Sequence, residues 1–323
     1  MKNKLTAMLV LSAILGLTAC HKQNNNTLTI GIIEPIEHKA MNEIVDGYTK
    51  TLAASYDKPF IVKVENAQGD ANLERAIIQK MHNAGYNIIA PIGVDATQMT
   101  LAVVHDKPVI SLASDLTDAE RHKLNPCNVA IVHDEIPANK IMAFILATYP
   151  HLTHLTLVHS AANKVFPEVN AAVAAGKQLG ITVDHVMVPT LPELYSAANA
   201  IASHTQAIFV LKDNLIVSGI GTLVKVAAER HIPLITSDQG SVQEGAALAL
   251  GVHENEIGVQ GAILTAAVLK GQAPCSLPIV GMDKLTVFIN STALAAENQT
   301  VAPIQAAAQE LGYTIEMIQH TDK

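Results

Sequence analysis

Thr27–Ile33 reads TLTIGII, Phe60–Asn66 reads FIVKVEN, Asn87–Ile92 reads NIIAPI and Pro108–Ser114 reads PVISLAS. Each is a short run rich in β-branched and other apolar residues. Between them lie helix-periodic stretches at about Lys39–Ser55, Asn72–Asn83 and Ala96–Val104. Such alternation is the pattern of βαβ units, because parallel strands need a crossover and a sheet covered on both faces tolerates continuous apolar runs. This block decides the fold: an α/β architecture with a doubly wound parallel sheet.

The pattern then restarts. NVAIV (Asn128–Val132) leads to a helix over Ala138–Tyr149 with Pro137 at its entry, a position where the fixed φ of proline suits a first turn. Strand-like HLTLVHS (His154–Ser160), ITVDHVMV (Ile181–Val188), QAIFVLK (Gln206–Lys212), IPLITS (Ile232–Ser237) and ALALGV (Ala247–Val252) follow. Helical stretches at Pro167–Leu179, Leu191–Ser203 and Leu215–Arg230 separate them. Two blocks imply two doubly wound parallel-sheet lobes. A long helix at Glu256–Lys270, the run LTVFIN (Leu285–Asn290) and two short helical stretches up to Leu311 remain. That tail is too small for a third domain and is expected to return across both lobes. Lobe 1 is therefore placed at 27–131 plus about 256–273, and lobe 2 at 132–251 plus about 277–323, with three strands crossing the hinge.

At the amino end, Met1–Cys20 reads MKNKLTAMLVLSAILGLTAC. Lysines, an apolar core and small residues before a cut describe an export signal. The run is short of the ~20 apolar residues that a transmembrane helix needs. A cysteine after Leu17-Thr18-Ala19 resembles the lipobox of bacterial lipoproteins, which implies lipid on Cys20 and a membrane tether in the cell envelope. His21–Asn26 (HKQNNN) is then a polar spacer.

Removing Met1–Ala19, which hold two lysines and no acid, takes the formal charge from −8 to −10. An acidic chain without basic runs makes few phosphate contacts, so nucleic acid is not an expected partner. Cys127 and Cys275 remain after Cys20; in an exported chain they pair as a disulfide or lie as two separate buried thiols, and spacing does not choose. Neither GxSxG nor HExxH occurs, and Gly219-Ile220-Gly221 lacks the third glycine of a dinucleotide loop. The 14 histidines are scattered. No enzyme, metal or cofactor is expected.

Ligands of doubly wound sheets bind at the carboxyl ends of strands, near switch points in strand order. The turns at those ends hold Glu34-Pro35-Ile36-Glu37-His38, Asn66-Ala67-Gln68-Gly69-Asp70, Gly93-Val94-Asp95 and Ser114-Asp115 in the first block. The second block has His159–Asn163, Lys212-Asp213-Asn214 and Ser237-Asp238. Many such Asp, Asn and Ser residues simply cap the following helix. Their recurrence at one end of both sheets points to a shared cleft. A zwitterionic ligand would find donors at helix N-termini and acceptors in Asp213 and Asp238. Phe166 and Tyr195 suit either an apolar pocket or the core.

NAQGD at Asn66–Asp70 resembles the hallmark segment of ABC-transporter substrate-binding proteins related to the tryptophan-binding type. IGIIEPIEHKAMNEIVDGY at Ile30–Tyr48, the Asp213-Asn214 pair, IPLITSD at Ile232–Asp238, Val242–Ala246, LKGQAP at Leu269–Pro274 and FIN at Phe288–Asn290 fall in family order. The resemblance implies a type I periplasmic-binding fold closing on a multi-strand hinge, and a ligand that is most often an aromatic amino acid. It implies as partner a permease with a cytoplasmic ATPase, served by a monomeric binding protein. The ligand residues expected are Glu37, His38, Asn66, Gln68, Val94, Asp95, Asp115, Asn163, Asp213, Asn214 and Asp238. Val94 stands where the family often has threonine, Leu116 where proline is usual, and Ala161–Lys164 lacks the family's acid. A nucleoside, sugar or branched-chain amino acid, or a sensor role, stays open as an alternative; an envelope hydrolase and a purely structural lipoprotein are the rivals from other classes.

Overall fold

The computed structural model describes residues 27–162, 165–282 and 284–318. The signal segment, Cys20, the spacer His21–Asn26 and Asn163 lie outside the described residues.

Among the described residues twelve strands are formed: β1 (Leu28–Glu34), β2 (Phe60–Asn66), β3 (Ile88–Pro91), β4 (Val109–Ser111), β5 (Val129–Ile131), β6 (His154–Ser160), β7 (Thr182–Val188), β8 (Ala207–Val210), β9 (Leu234–Thr236), β10 (Leu248–Gly251), β11 (Thr286–Ile289) and β12 (Thr314–Met317). They make two sheets, ordered β2-β1-β3-β4-β5 and β12-β11-β10-β9-β8-β6-β7. The first is parallel throughout. The second is parallel except for β10 against β11. Within it β7-β6-β8-β9-β10 repeats the order of the first sheet. Each lobe therefore has one switch point, between β1 and β3 and between β6 and β8. The central strands are buried along their length, and Phe144, Phe209 and Phe288 fill the interior.

Three segments join the lobes: the stretch after β5, the stretch after β10 and the stretch before β11. The first and third run side by side, with Val132 bridged to Val280 and the His133 N–H donating to the Val280 carbonyl at 2.7 Å. After β10 the chain enters helix Glu254–Leu269, which returns to lobe 1 and lies along helix Lys39–Ser55. Glycines permit that approach. A Cβ on Gly258 would strike the Ile44 carbonyl, and one on Gly47 the Asn255 carbonyl. Buried Tyr48 and Thr265 hydroxyls meet at 2.6 Å across the contact.

Cys127 and Cys275 are joined as a disulfide, with Cα atoms 6.0 Å apart, which decides between the two readings left open. The expected helix Leu215–Arg230 is two helices, Asn214–Ser218 and Ile220–Arg230, meeting at Gly219. A Cβ on Gly219 would run into the Leu191 and Leu194 side chains, so that glycine serves packing. The expected helix Leu191–Ser203 shortens to a 3-10 turn at Leu191–Glu193 and helix Leu194–Asn199. The tail adds β12, a strand whose residues are half-buried or exposed and so leave no apolar run. Among the described residues no helix is long and apolar enough to cross a membrane.

Candidate functional site

Both switch points face the space between the lobes, which divides into two parts. An inner cavity lies on the hinge side. It is bordered in lobe 1 by the turns after β1, β3 and β4, and in lobe 2 by those after β8 and β9. An outer cleft opens to solvent between the Gln68–Asp70 turn and the Ser160–Ala162, Leu191 and Leu215 region.

His38, Val94, Asp115, Asn214 and Asp238 border the inner cavity. Glu37, Gln68, Asp95, Asp213 and Asn214 border the outer cleft. Asn66 borders neither. Its Nδ2 donates to Glu34 at 3.2 Å and its Oδ1 accepts from the Gln68 N–H at 2.7 Å, so both ends are spent on the turn. Gln68 and Gly69 hold positive φ, 54° and 75°. Asp70 caps helix Ala71–Asn83 by accepting from the Asn72 and Leu73 N–H groups at 2.7 and 3.1 Å.

The second lobe repeats this division of labour. Asp213 is 2% exposed. One of its oxygens accepts from the Leu215 N–H at 3.2 Å and the other from the Ser160 N–H at 2.5 Å, which ties the ends of β6 and β8 together. Asp238 accepts from the Ser241 N–H and hydroxyl, both at 2.7 Å, and heads helix Gln239–Gln243. A carboxylate has about four acceptor positions, so Asp238 keeps capacity toward the cavity that it borders.

His38 differs from these caps. It is 4% exposed. Its Nδ1 accepts from the Ala40 N–H at 3.3 Å, which places the proton of the neutral ring on Nε2. Nε2 has no hydrogen-bond partner, and a buried donor left unmatched costs roughly 1–3 kcal/mol. The ring also packs on Gly240, whose Cβ position is 2.6 Å from His38 Cε1. A residue of lobe 1 that borders the cavity thus touches lobe 2 and carries a buried N–H with no partner among the described residues.

Three charged residues outside the expected set complete the inner cavity: Lys212, Asp134 and Glu254. Lys212 Nζ lies 2.7 Å from Asp134 and 3.1 Å from Glu254. Burial works against the Lys212 ammonium, but the two carboxylates outweigh it and hold its pKa above the ordinary lysine value. Burial pushes the Glu254 carboxyl up to about 7, with Lys212 opposing and Asp134 and Asp238 reinforcing. Lys212 sits at the end of a strand and was within reach of the sequence reading as part of its turn. Asp134 and Glu254 lie on segments that cross the hinge, and only the folded chain brings them together.

Apolar residues supply much of the remaining inner lining, including Met41, Ile44, Ile92, Ile136, Leu211 and Val217. No phenylalanine or tyrosine is among the residues bordering it. Phe166 and Tyr195, read as pocket or core, are neither: they are 39% and 64% exposed, and Phe166 meets the His159 ring edge-on at 5.7 Å. No group of three or more His, Cys, Asp or Glu among the described residues is placed to hold a metal ion.

The family of ABC transporter substrate binding proteins matches residues 29–309. An uncharacterized protein of Rickettsia prowazekii (strain Madrid E) is 34% identical over 282 residues, covering 85% of this chain and 89% of that one. A tyrosine-binding protein of Clostridioides difficile (strain R20291) is 25% identical over 326 residues, covering 91% and 92%. Among solved structures, an ABC domain of Streptococcus pneumoniae in complex with L-Trp superposes with a TM-score of 0.75 at 24% identity, covering 88% of this chain and 95% of that one. This likeness extends to the two-lobe, type I periplasmic-binding architecture. The chain belongs to the family of ABC transporter substrate-binding proteins.

Proposed function

We propose that this protein captures an amino acid in the inner cavity and delivers it to an importer made of a permease and a cytoplasmic ATPase. The carrying observation is His38 Nε2: a buried donor without a partner, on a ring that spans the two lobes. The neighbouring backbone belongs to the first turn of helix Lys39–Ser55, whose partial positive charge favours a carboxylate at the same place. Asp238 accepts from the ligand across the cavity, while Asp115, Val94 and Asn214 shape the remainder. Glu37, Gln68, Asp95 and Asp213 form the outer rim. Ligand held by both lobes favours the closed form and shifts the population toward it. The names of the tyrosine-binding relative and of the L-Trp complex support an amino-acid ligand.

A branched-chain amino acid is the second reading. The aliphatic lining, without a phenylalanine or tyrosine at the inner cavity, favours it. A thermal-shift screen over amino acids, nucleosides and sugars, on protein stripped of carried-over ligand, separates these readings. A ligand at a hundred times its Kd adds about 2.7 kcal/mol of stability. The chain has no tryptophan, so calorimetry is the means of measuring affinity. An amino acid as the strongest hit supports the proposal; a response confined to sugars or nucleosides rejects it.

The tether is proposed to be lipid on Cys20, with the protein at the periplasmic or extracellular face of a membrane, working as a monomer. Mass spectrometry of the native processed chain should find a lipidated N-terminal Cys20. An unmodified Cys20 there contradicts the tether and leaves the ligand assignment intact.

A further inference from the structure

The inner cavity has an imbalance of charge. Lys212 is shared between Asp134 and Glu254. Asp238 borders the same space, and among the described residues its carboxylate receives hydrogen bonds only from the Ser241 backbone and hydroxyl. Two carboxylates thus share the Lys212 ammonium, and Asp238 adds a further negative charge that acts on Glu254. Glu254 and Asp238 are 2% and 4% exposed, so solvent cannot supply the missing charge cheaply. His38 borders the same cavity and packs on Gly240, next to Asp238, and its Nε2 is a 96% buried donor with no partner among the described residues.

We propose that the ligand's ammonium group seats between the carboxylates of Glu254 and Asp238, with the ligand's carboxylate on His38 Nε2, and that seating it expels a proton from Glu254. This rests on the amino-acid reading above and names the group that its site recognises. The geometry orients the ligand: ammonium toward the Glu254 and Asp238 carboxylates, carboxylate toward the start of helix Lys39–Ser55. Helix Glu254–Leu269 directly follows a hinge-crossing segment, so the contact ties occupancy to the hinge itself.

The proton follows from the surroundings of Glu254. Lys212 faces it from the turn after β8, Asp134 from the first crossing segment, and Asp238 from the head of helix Gln239–Gln243. Glu43 lies on the packed helix Lys39–Ser55 and is influenced by Asp238 and His253. Glu135 and Asp115 border the cavity as well. With burial outweighing Lys212, the Glu254 carboxyl is pushed up to about 7, so both of its forms are present near neutrality. A ligand ammonium favours the ionised form, so binding releases a proton below that pH. Affinity rises with pH and levels off above Glu254's titration. For one coupled proton it is roughly tenfold weaker at about pH 6 than at about pH 8.

The test is calorimetry with L-tyrosine, L-tryptophan, L-leucine and L-arginine, followed for the tightest binder at both pH values and in buffers of different ionisation enthalpy. The expected result is net proton release approaching one at the lower pH and about a tenfold affinity difference. Binding should be lost with the deaminated acid, hydroxyphenylpropionate for tyrosine or indolepropionate for tryptophan. Glu254→Gln should bind more weakly and lose the pH dependence. If that variant does not fold, proton release by the unaltered protein decides. An amino acid that binds equally at both pH values, with no proton released and its deaminated acid as tight, overturns the ammonium seat and leaves the amino-acid reading standing. If none of the four binds and only a sugar or nucleoside does, both fall.

Discussion

The inner cavity and the outer cleft are built from similar turns at the same ends of two similar sheets, yet they spend their polar residues differently. In the outer cleft, Asp70 and Asp213 hold the backbone around them, each accepting from two N–H groups. Gln68 and Asp95 are exposed. In the inner cavity, Glu254 and His38 are buried with Lys212 and Asp134 half-buried beside them, and the histidine has a donor unmatched among the described residues. The contrast teaches that position at a strand's carboxyl end identifies the cleft but not the chemistry. Chemistry sits where burial makes an unpaired group costly.

The difference can be broken most severely at Lys212. Lys212→Met leaves Asp134 and Glu254 without their cation, and removing one partner of a buried pair costs about 3–5 kcal/mol. Urea unfolding at neutral pH should show a loss of that order. It should shrink at about pH 5, below the value of about 7 to which burial raises Glu254, because the neutral carboxyl no longer needs the ammonium. A pH-independent loss would show that Lys212 acts through packing instead.

A smaller effect sharpens the comparison from the other side. Asp70→Ala removes two capping hydrogen bonds from helix Ala71–Asn83, which costs about 1 kcal/mol. Stability should fall by that amount while calorimetric affinity for the ligand stays within about twofold. A large loss of affinity at unchanged stability would place the ligand against the outer turn.

The same contrast explains what was legible in the sequence. Strands and helices of the first block were readable because their apolar runs are continuous and their caps local; Lys39–Ser55 and Phe60–Asn66 have the bounds expected of them. The break at Gly219 was hidden because it answers to Leu191 and Leu194, residues distant in sequence. β12 was hidden because its pairing with β11 supplies order that its own half-exposed residues do not. At the site, Asp213 and Asp238 were identified by type and place, but their capping partners decide how much of each remains for a ligand. Asp134 and Glu254 were out of reach, since their partner Lys212 is 78 residues from the former and no local pattern announces a buried ion pair. The disulfide was undecidable for the same reason, its cysteines standing 148 positions apart in sequence.

The central claim is that the hinge-side cavity, not the open cleft, holds the ligand. Calorimetry on His38→Phe, which keeps a ring but has no N–H donor, beside Gln68→Ala tests it most directly, using the amino acid that most raises the melting temperature. An unmatched buried donor satisfied by a carboxylate contributes at least about 1.5 kcal/mol. His38→Phe should therefore weaken binding by about tenfold or more, with Gln68→Ala within about twofold of the unaltered protein. Full affinity in His38→Phe together with a tenfold loss in Gln68→Ala would contradict the account.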